Sequence, residues 1–549
     1  MGLQGGRSAR MWPSVAKVFF LLNTFRPLVR GYICRRRIYD HDDEPLLCIY
    51  SCIPVPALSL DRKLLATMPS ITDDYPEYSR TCKLDTLRAT EYGYLDEQDH
   101  IYLDYTGAGL AARTQFQAHK SRLDGATFGN PHSENPTSRA ATDLVERARR
   151  RVLLHLNASP EDYQVIFTSN ATGAAKLVGE AYPFAKSSRL VLTSDNHNSL
   201  NGLREYARRA GAKKTRYVPM RPKDLRIDTE AVIKTLGRPR PWPLGRPSKR
   251  QRKGLFAYPA QSNFSGVRHP LSWIKLAQDL GYDVLLDAAA YLPTSQLDLS
   301  TVNPSFVIVS WYKVFGFPTG VGCLVARRDA LARLARPYFA GGTVQAATVA
   351  IPWHTLVSGE GAFEDGTVNY LSIPDVHVGL DWLSTVGMDM VATRVRCLTG
   401  WFIDRLLKLR HSNGSPMIVL YGPADAESRG GTVAFNFVDA RGKVVDERLV
   451  AQESSRAHIS LRTGCFCNPG AGEAVFGISA RTLKPLVRQK GGTFDDFLRI
   501  AHLPTGGAIR VSFGIASTCG DVDYFIAFAT KTYKDRVTST EGLAPRPGC

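Results

Sequence analysis

The chain has 549 residues, 44% hydrophobic and 22% charged, a globular balance long enough for more than one domain. Its net charge of +18 is concentrated: residues 1–39 carry eight Lys or Arg and residues 238–253 carry seven, neither with an acid, so a body at about +3 with two basic appendages does not look like a nucleic-acid-binding face. No apolar run reaches the ~18 residues of a membrane span, and ten cysteines are too sparse for a disulfide framework, so they read as reduced thiols in the cytosol or an organelle matrix.

In chain order, residues 1–67 are basic, then briefly acidic at Asp40–Glu44, with no periodicity. They read as a disordered extension or as a misplaced start with Met68 the true one; a mitochondrial transit peptide is the alternative to a cytoplasmic chain. From about residue 98 short apolar strands alternate with helical stretches. Strands are expected at Val165–Thr168, at Leu190–Thr193, before Asn263, up to Asp287, just before Lys313 and in "GVGCLVAR". That alternation predicts an α/β fold: a large domain over 68–370 with a mostly parallel sheet covered by helices. The Pro- and basic-rich stretch 238–253 interrupts it as a surface insertion, because its prolines preclude a helix. After Asn369 the texture changes to "GLDWLSTVG" and "VRCLTGWFIDRLLKL", both helical, then "GGTVAFNFV" and "AIRVSFG", both strands. A smaller α+β domain is expected over 371–530, with a flexible tail at 531–549.

In such sheets the residues at the carboxyl ends of strands line the ligand crevice. Here these are Asn170, Thr172 and Gly173, His197, Asn263, Asp287, Ser310 and Lys313. Lys313 lies between aromatics at the end of an apolar strand, where a free amine is costly to bury and a Schiff base is one resolution. The set fits what pyridoxal phosphate asks of its host: a lysine to bind it, a carboxylate for the pyridine nitrogen, small residues at a helix N-terminus for the phosphate, and a ring to stack on its face. Asp287, 26 residues before Lys313, suits the pyridine partner. Taken singly, each residue has a commoner structural role, such as a helix cap for Asp or a hydrogen-bonder for His; only their joint order on successive strands raises the case.

In the smaller domain, "ISLRTGCFCNPGAGE" puts Cys465 and Cys467 in a Gly/Pro/Asn loop. Without a second Cys pair and with only His458 close by, a metal site is not expected. An exposed thiol made nucleophilic by a cation such as Arg462 is the functional reading. On an extended loop both thiols point the same way, and the turn at 468–470 favours Cys467 over Cys465. Arg510, in "GGAIRVSFG", has the shape of a clamp for an α-carboxylate, although a surface ion pair is equally common for a lone Arg.

The stretches "YLDYTGAGL" (102–110), "FGNPHSENPTS" (128–138), "FTSNATGA" (167–174), "LLDAAAYLPT" (285–294), "SWYKVFGFPTGVG" (310–322) and "RTGCFCNPGA" (462–471) resemble the class V aminotransferase-like cysteine desulfurases. More closely, they resemble the N-terminal domain of the eukaryotic molybdenum cofactor sulfurase branch, over about 94–528. The resemblance implies fold type I of the pyridoxal phosphate enzymes and a homodimer. It implies that Lys313 bonds the cofactor and carries the proton, Asp287 pairs with the ring nitrogen, and Asn263 meets the ring hydroxyl and substrate. His197 stacks on the ring, a catalytic position in the family. Ala171, Thr172 and Ser310 hold the phosphate, and Thr343, in "AGGTVQ", reaches the phosphate of the partner subunit. Arg510 binds the carboxylate of L-cysteine, and Cys467 carries the persulfide as alanine leaves.

The chain departs from ordinary desulfurases at Tyr312, where they have histidine, and at Ala290, where they have glutamine. Gly472 stands where the sulfurase branch tends to have a third cysteine. Members of that branch continue into a domain that binds the molybdenum cofactor, so with the sequence ending at Cys549 the acceptor, that cofactor or its carrier protein, is expected in trans. Neither nucleic acid nor membrane is expected as a partner. Two alternatives stand beside this reading: another enzyme on the same fold, a lyase or epimerase with Cys467 idle, and an inactive scaffold.

Overall fold

The computed structural model describes residues 70–212, 215–237, 253–484, 493–501, 503 and 505–546. The chain divides into two units, Met1–Ile49 and Tyr50–Cys549, and every described residue belongs to the second. The extension at 1–67 and nearly all of the basic insertion at 238–253 lie outside the described residues.

The central sheet has seven strands: β1 (Tyr163–Thr168), β2 (Arg189–Thr193), β3 (Arg216–Val218), β4 (Gly254–Pro259), β5 (Tyr282–Asp287), β6 (Phe306–Ser310) and β7 (Gly322–Arg327). Their spatial order is β1-β7-β6-β5-β4-β2-β3. Only β7 runs against its neighbours; the other six are parallel. Helices cover both faces, so both faces of the inner strands are apolar. Along β6, Val307 and Val309 join one core while Phe306 and Ile308 join the other. Each such side chain, when fully buried, stabilises the fold by about 1.5–3 kcal/mol. The expected mostly parallel α/β sheet is therefore present, and every anticipated strand of it is found. The short strand β3, at the sheet's edge, is too polar to stand out in the sequence.

A second sheet, fully antiparallel, orders β8 (Ile418–Tyr421), β9 (Thr432–Phe437), β11 (Ala508–Ser512) and β10 (Arg462–Gly464) as β8-β9-β11-β10. Helices Met388–Leu407 and Cys519–Tyr533 pack against it, with Phe402 and Phe525 meeting Phe435. The segment expected as a flexible tail is described to residue 546, and there Arg546 donates to Glu447, Asp446 and Asp495 at 2.6–2.7 Å. Those three ion pairs hold Arg546 against the start of the helix Glu447–Arg456 and against the helix Phe494–Ala501.

The two sheets are joined by an N-terminal segment. Ile101 and Tyr102 pair in parallel with Ile459 and Ser460, Asp104 bridges to Ser512, and Gly109 N donates to Tyr312 O at 3.0 Å. That path lays "DYTGAG" across the turn that carries Lys313. Gly316 then reverses the chain at φ +77°, with Ala111 N only 2.3 Å from where a Cβ would stand; only glycine accepts both constraints.

Candidate functional site

A cavity of about 180 Å³ opens at the carboxyl ends of β1, β4, β5 and β6. Eight of the residues anticipated from the sequence line it: Asn170, Ala171, Thr172, His197, Asn263, Asp287, Ser310 and Lys313. They come from five separate chain segments, and the parallel sheet is what collects them.

Lys313 follows β6 in the single-turn helix Trp311–Phe315, rather than in an irregular turn. Burial pushes its amine below the ordinary lysine range, while Asp287 pulls it back up. Asp287 ends β5, and burial pushes its carboxyl upward, against the effect of Ala289 N–H, which donates to Oδ1 at 2.9 Å, and of Lys313. The two groups thus sit in each other's field inside a poorly solvated pocket, the setting in which burial and charge partners set protonation.

At the opposite wall, Asn170 caps the helix Ala171–Ala181 by accepting from Gly173 N at 2.9 Å. Ala171 N donates to Ser310 Oγ at 2.9 Å, tying the start of this helix to the end of β6. Thr172 Oγ1 lies 2.7 Å from Ser199 Oγ, which lies 2.8 Å from His197 Nδ1. Ser199 N also donates to Nδ1, so the neutral ring carries its proton on Nε2.

Burial, followed by the charges of Lys313 and Arg510, lowers the His197 pKa from 6.5 to about 4. The sign follows directly: stability is undisturbed above about pH 6.5 and is lost as pH falls toward 4, because the unfolded chain takes a proton that the folded ring refuses. His197→Gln should flatten that part of the curve, read as urea midpoints near about pH 7 and about pH 5. An unchanged pH dependence would contradict the assignment.

Three anticipated residues lie off the cavity wall. Thr343 is fully buried, and its hydroxyl both donates to Ala340 O and accepts from Ala340 N within one turn. Arg510 lies under the loop that carries the cysteines, with its guanidinium 4.8 Å from the Phe466 ring centroid. Cys467 is a free, half-buried thiol whose carbonyl accepts from Asn198 N at 2.8 Å, next to His197.

That loop differs from the extended, mobile segment expected. Phe466 and Cys467 both have left-handed backbones, φ +54° and +52°, so neighbouring side chains do not simply alternate. The 468–470 turn is instead the start of a helix, Pro469–Val475, capped by Asn468. Asn468 is fully buried and donates to Asp195 O at 2.7 Å and to Asn263 Oδ1 at 3.0 Å. Asn263 in turn donates to Phe466 O at 2.8 Å, so its side chain serves the loop as well as the cavity wall. Gly470 presses on Ser194, whose carbonyl oxygen is 2.0 Å from a would-be Cβ. Cys465 is disulfide-bonded, which corrects the expectation that every cysteine is reduced.

Sequence reasoning missed Gln261 and Ser199 on the cavity wall, Asn468 beneath the loop, and Asp104, which accepts from both Arg462 and Arg510. An Asn followed by Pro is a readable cap signal for Asn468; the others owe their position to tertiary packing. Among the described residues no cluster suited to a metal ion occurs, and no helix is long and apolar enough to cross a membrane.

Comparison with known proteins matches the aminotransferase class-V family model over residues 101–525. The chain is 37% identical to the molybdenum cofactor sulfurase of Bos taurus over 487 residues, covering 84% of this chain and 52% of that one. It is 37% identical to the human protein of the same name over 473 residues, covering 82% and 51%. The chain thus spans about half the length of these curated relatives. Among solved structures, a cysteine desulfurase from Thermococcus onnurineus superposes with a TM-score of 0.66 at 20% identity, covering 82% of this chain and 97% of that one. One from Escherichia coli gives 0.64 at 19%, covering 82% and 99%. The fold is therefore that of the cysteine desulfurases, fold type I, and with three quarters of its length matched the chain belongs to the aminotransferase class-V family.

Proposed function

We propose that this chain is a pyridoxal phosphate-dependent sulfurtransferase of the cysteine desulfurase type, which takes sulfur from L-cysteine as a protein persulfide and releases alanine. The observation that carries the reading is the convergence of Lys313, Asp287, His197 and the N-terminus of the helix Ala171–Ala181 on one cavity. The pocket's chemistry suits the cofactor. A buried amine with a lowered pKa is poised to bond an aldehyde. A buried carboxylate across from it answers a ring nitrogen, and backbone N–H groups at a capped helix start answer a phosphate. When bound, pyridoxal phosphate supplies an electron sink for the bonds at the substrate's α-carbon.

The remaining work falls to the chain. Lys313 shuttles the α-proton from within the cavity, its lowered pKa favouring the free amine that accepts it. His197, held neutral, presents its ring face without adding charge. The Cys467 thiolate attacks the substrate's sulfur: the new S–S bond forms, the substrate's C–S bond breaks with its electron pair left on carbon, and a proton returned to that carbon completes alanine. Arg510 recognises the substrate carboxylate. A homodimer fits the exposed apolar hairpin Val344–Thr348 and Trp353–Leu356, which bares Val349, Ile351 and Trp353 just beyond Thr343. The acceptor of the sulfur is the molybdenum cofactor or a protein that carries it, in keeping with the names of the most similar relatives.

The experiment is to supply L-cysteine to the protein loaded with pyridoxal phosphate, and to quantify alanine and protein-bound persulfide together. Equal yields in a single turnover are expected. Pyruvate or D-cysteine in place of alanine would favour a lyase or epimerase and overturn the reading.

A further inference from the structure

A second cavity, of about 20 Å³, adjoins the first, and Gln261, Ala290 and Lys313 line both. Three threonines also line it: Thr106 in "DYTGAG", Thr432 at the start of β9, and Thr294, which closes the stretch "LLDAAAYLPT" after β5. No residue of the cysteine loop borders it. Its polar groups are unequally satisfied. Thr106 Oγ1 and Thr432 Oγ1 lie 2.6 Å apart, so one donates to the other and one hydroxyl hydrogen is left to spare. Gln261 Nε2 donates one hydrogen to Ala290 O at 2.9 Å and keeps a second. Thr294 is 5% exposed, and its hydroxyl is buried with no hydrogen-bond partner among the described residues. A buried hydroxyl without a partner is costly, and where the protein does not answer it an ordered water does.

The volume suits one water and nothing larger, since a polar cavity of about 10–15 Å³ already holds one. We infer that this cavity is the binding site of a single water held by Thr294, with Gln261 and the Thr106–Thr432 pair as further partners, and that this water exchanges protons with Lys313. Each exchange is a swap: the Lys313 ammonium passes one proton to the water and takes back another, so no charge accumulates. The water then leaves for bulk solvent and another replaces it. The inference rests on the proton-carrying role proposed above for Lys313 and supplies the partner with which that amine trades. Thr294 is then a positioning residue, acting on Lys313 through the water. Solvent protons reach the reacting carbon by way of the second cavity, while the cysteine loop stays seated.

The first arm of the test needs no cofactor. A crystal structure of the full chain should show one ordered oxygen within about 3.2 Å of Thr294 Oγ1, absent from Thr294→Val, which keeps the shape without the hydroxyl. Thr294→Val should lower the urea midpoint, and Thr294→Ser should hold it near the parent's. A dry cavity, or a higher midpoint in Thr294→Val, overturns the site, because replacing an unpaired buried hydroxyl by a methyl relieves a cost. The second arm follows the proton. The chain loaded with pyridoxal phosphate is given L-cysteine deuterated at its α-carbon, in ordinary water, and the deuterium in the alanine formed is measured by mass. The parent should return little of it, and Thr294→Val should retain several times more per alanine, a ratio that a merely structural threonine leaves unchanged. Equal retention in parent and variant overturns the exchange. If the parent forms no alanine, the proposed function fails and takes the exchange with it, while the water at Thr294 stands or falls on the first arm.

Discussion

Lys313→Ala should lose L-cysteine turnover by at least about 10²–10⁴-fold, the range associated with a positioned proton-transfer group, and lose with it the visible absorbance of covalently held cofactor. The same variant should melt no lower than the parent when both are free of cofactor. Burial depresses the Lys313 amine, which means that the folded state holds it at a cost. Removing it relieves that cost and leaves Asp287 with its Ala289 hydrogen bond. Activity lost with stability kept is the signature of a group retained for chemistry. Retained turnover in this variant would sink the proposed function, and a collapse of folding would show that Lys313 is part of the scaffold.

The second large effect concerns the thiols. Cys467→Ala should form no persulfide on the loop after incubation with L-cysteine, whereas Cys465→Ala should still gain one sulfur atom in mass on the alkylated loop peptide. The geometric grounds have changed from those available in the sequence. The loop is not extended, and the two thiols are not equivalent: Cys467 is free and its backbone is bonded to Asn198 beside His197, while Cys465 is engaged in a disulfide. Cys467 does not line the cavity, so its sulfur reaches the substrate only by movement of the loop or of its side chain. Undiminished persulfide in Cys467→Ala would reassign the carrier to Cys465.

The large sheet was legible because its strands are apolar on both faces and end in polar residues, a pattern that needs no partner to be seen. Lys313, Asp287 and His197 could be picked out for that reason. Residues whose position depends on two distant segments could not. Asp104 acquires its place only when residues 101–104 pair with the second sheet, and nothing near it in sequence marks it as the tie between two arginines. The cysteine loop misled for a related reason. Glycine and proline there read as mobility, yet Asn468 is a helix cap buried beneath it, and Phe466 lies against Arg510 and Phe264. Composition reports what a segment can adopt; the burial of one amide decided what it did.

The docking of that loop bears on timing. Four hydrogen bonds seat it, from Asn198, to and from Asn263 on the cavity wall, and to Asp195. Each contributes little alone, about 0.5–1.5 kcal/mol, but they must break together for the loop to leave. If Cys467 carries sulfur as proposed, that half-buried atom would be less open to passing small thiols while the loop is seated than when it lifts. Leakage and delivery share one gate, and an acceptor that pries the loop loose would draw sulfur faster than diffusion of reductant could drain it.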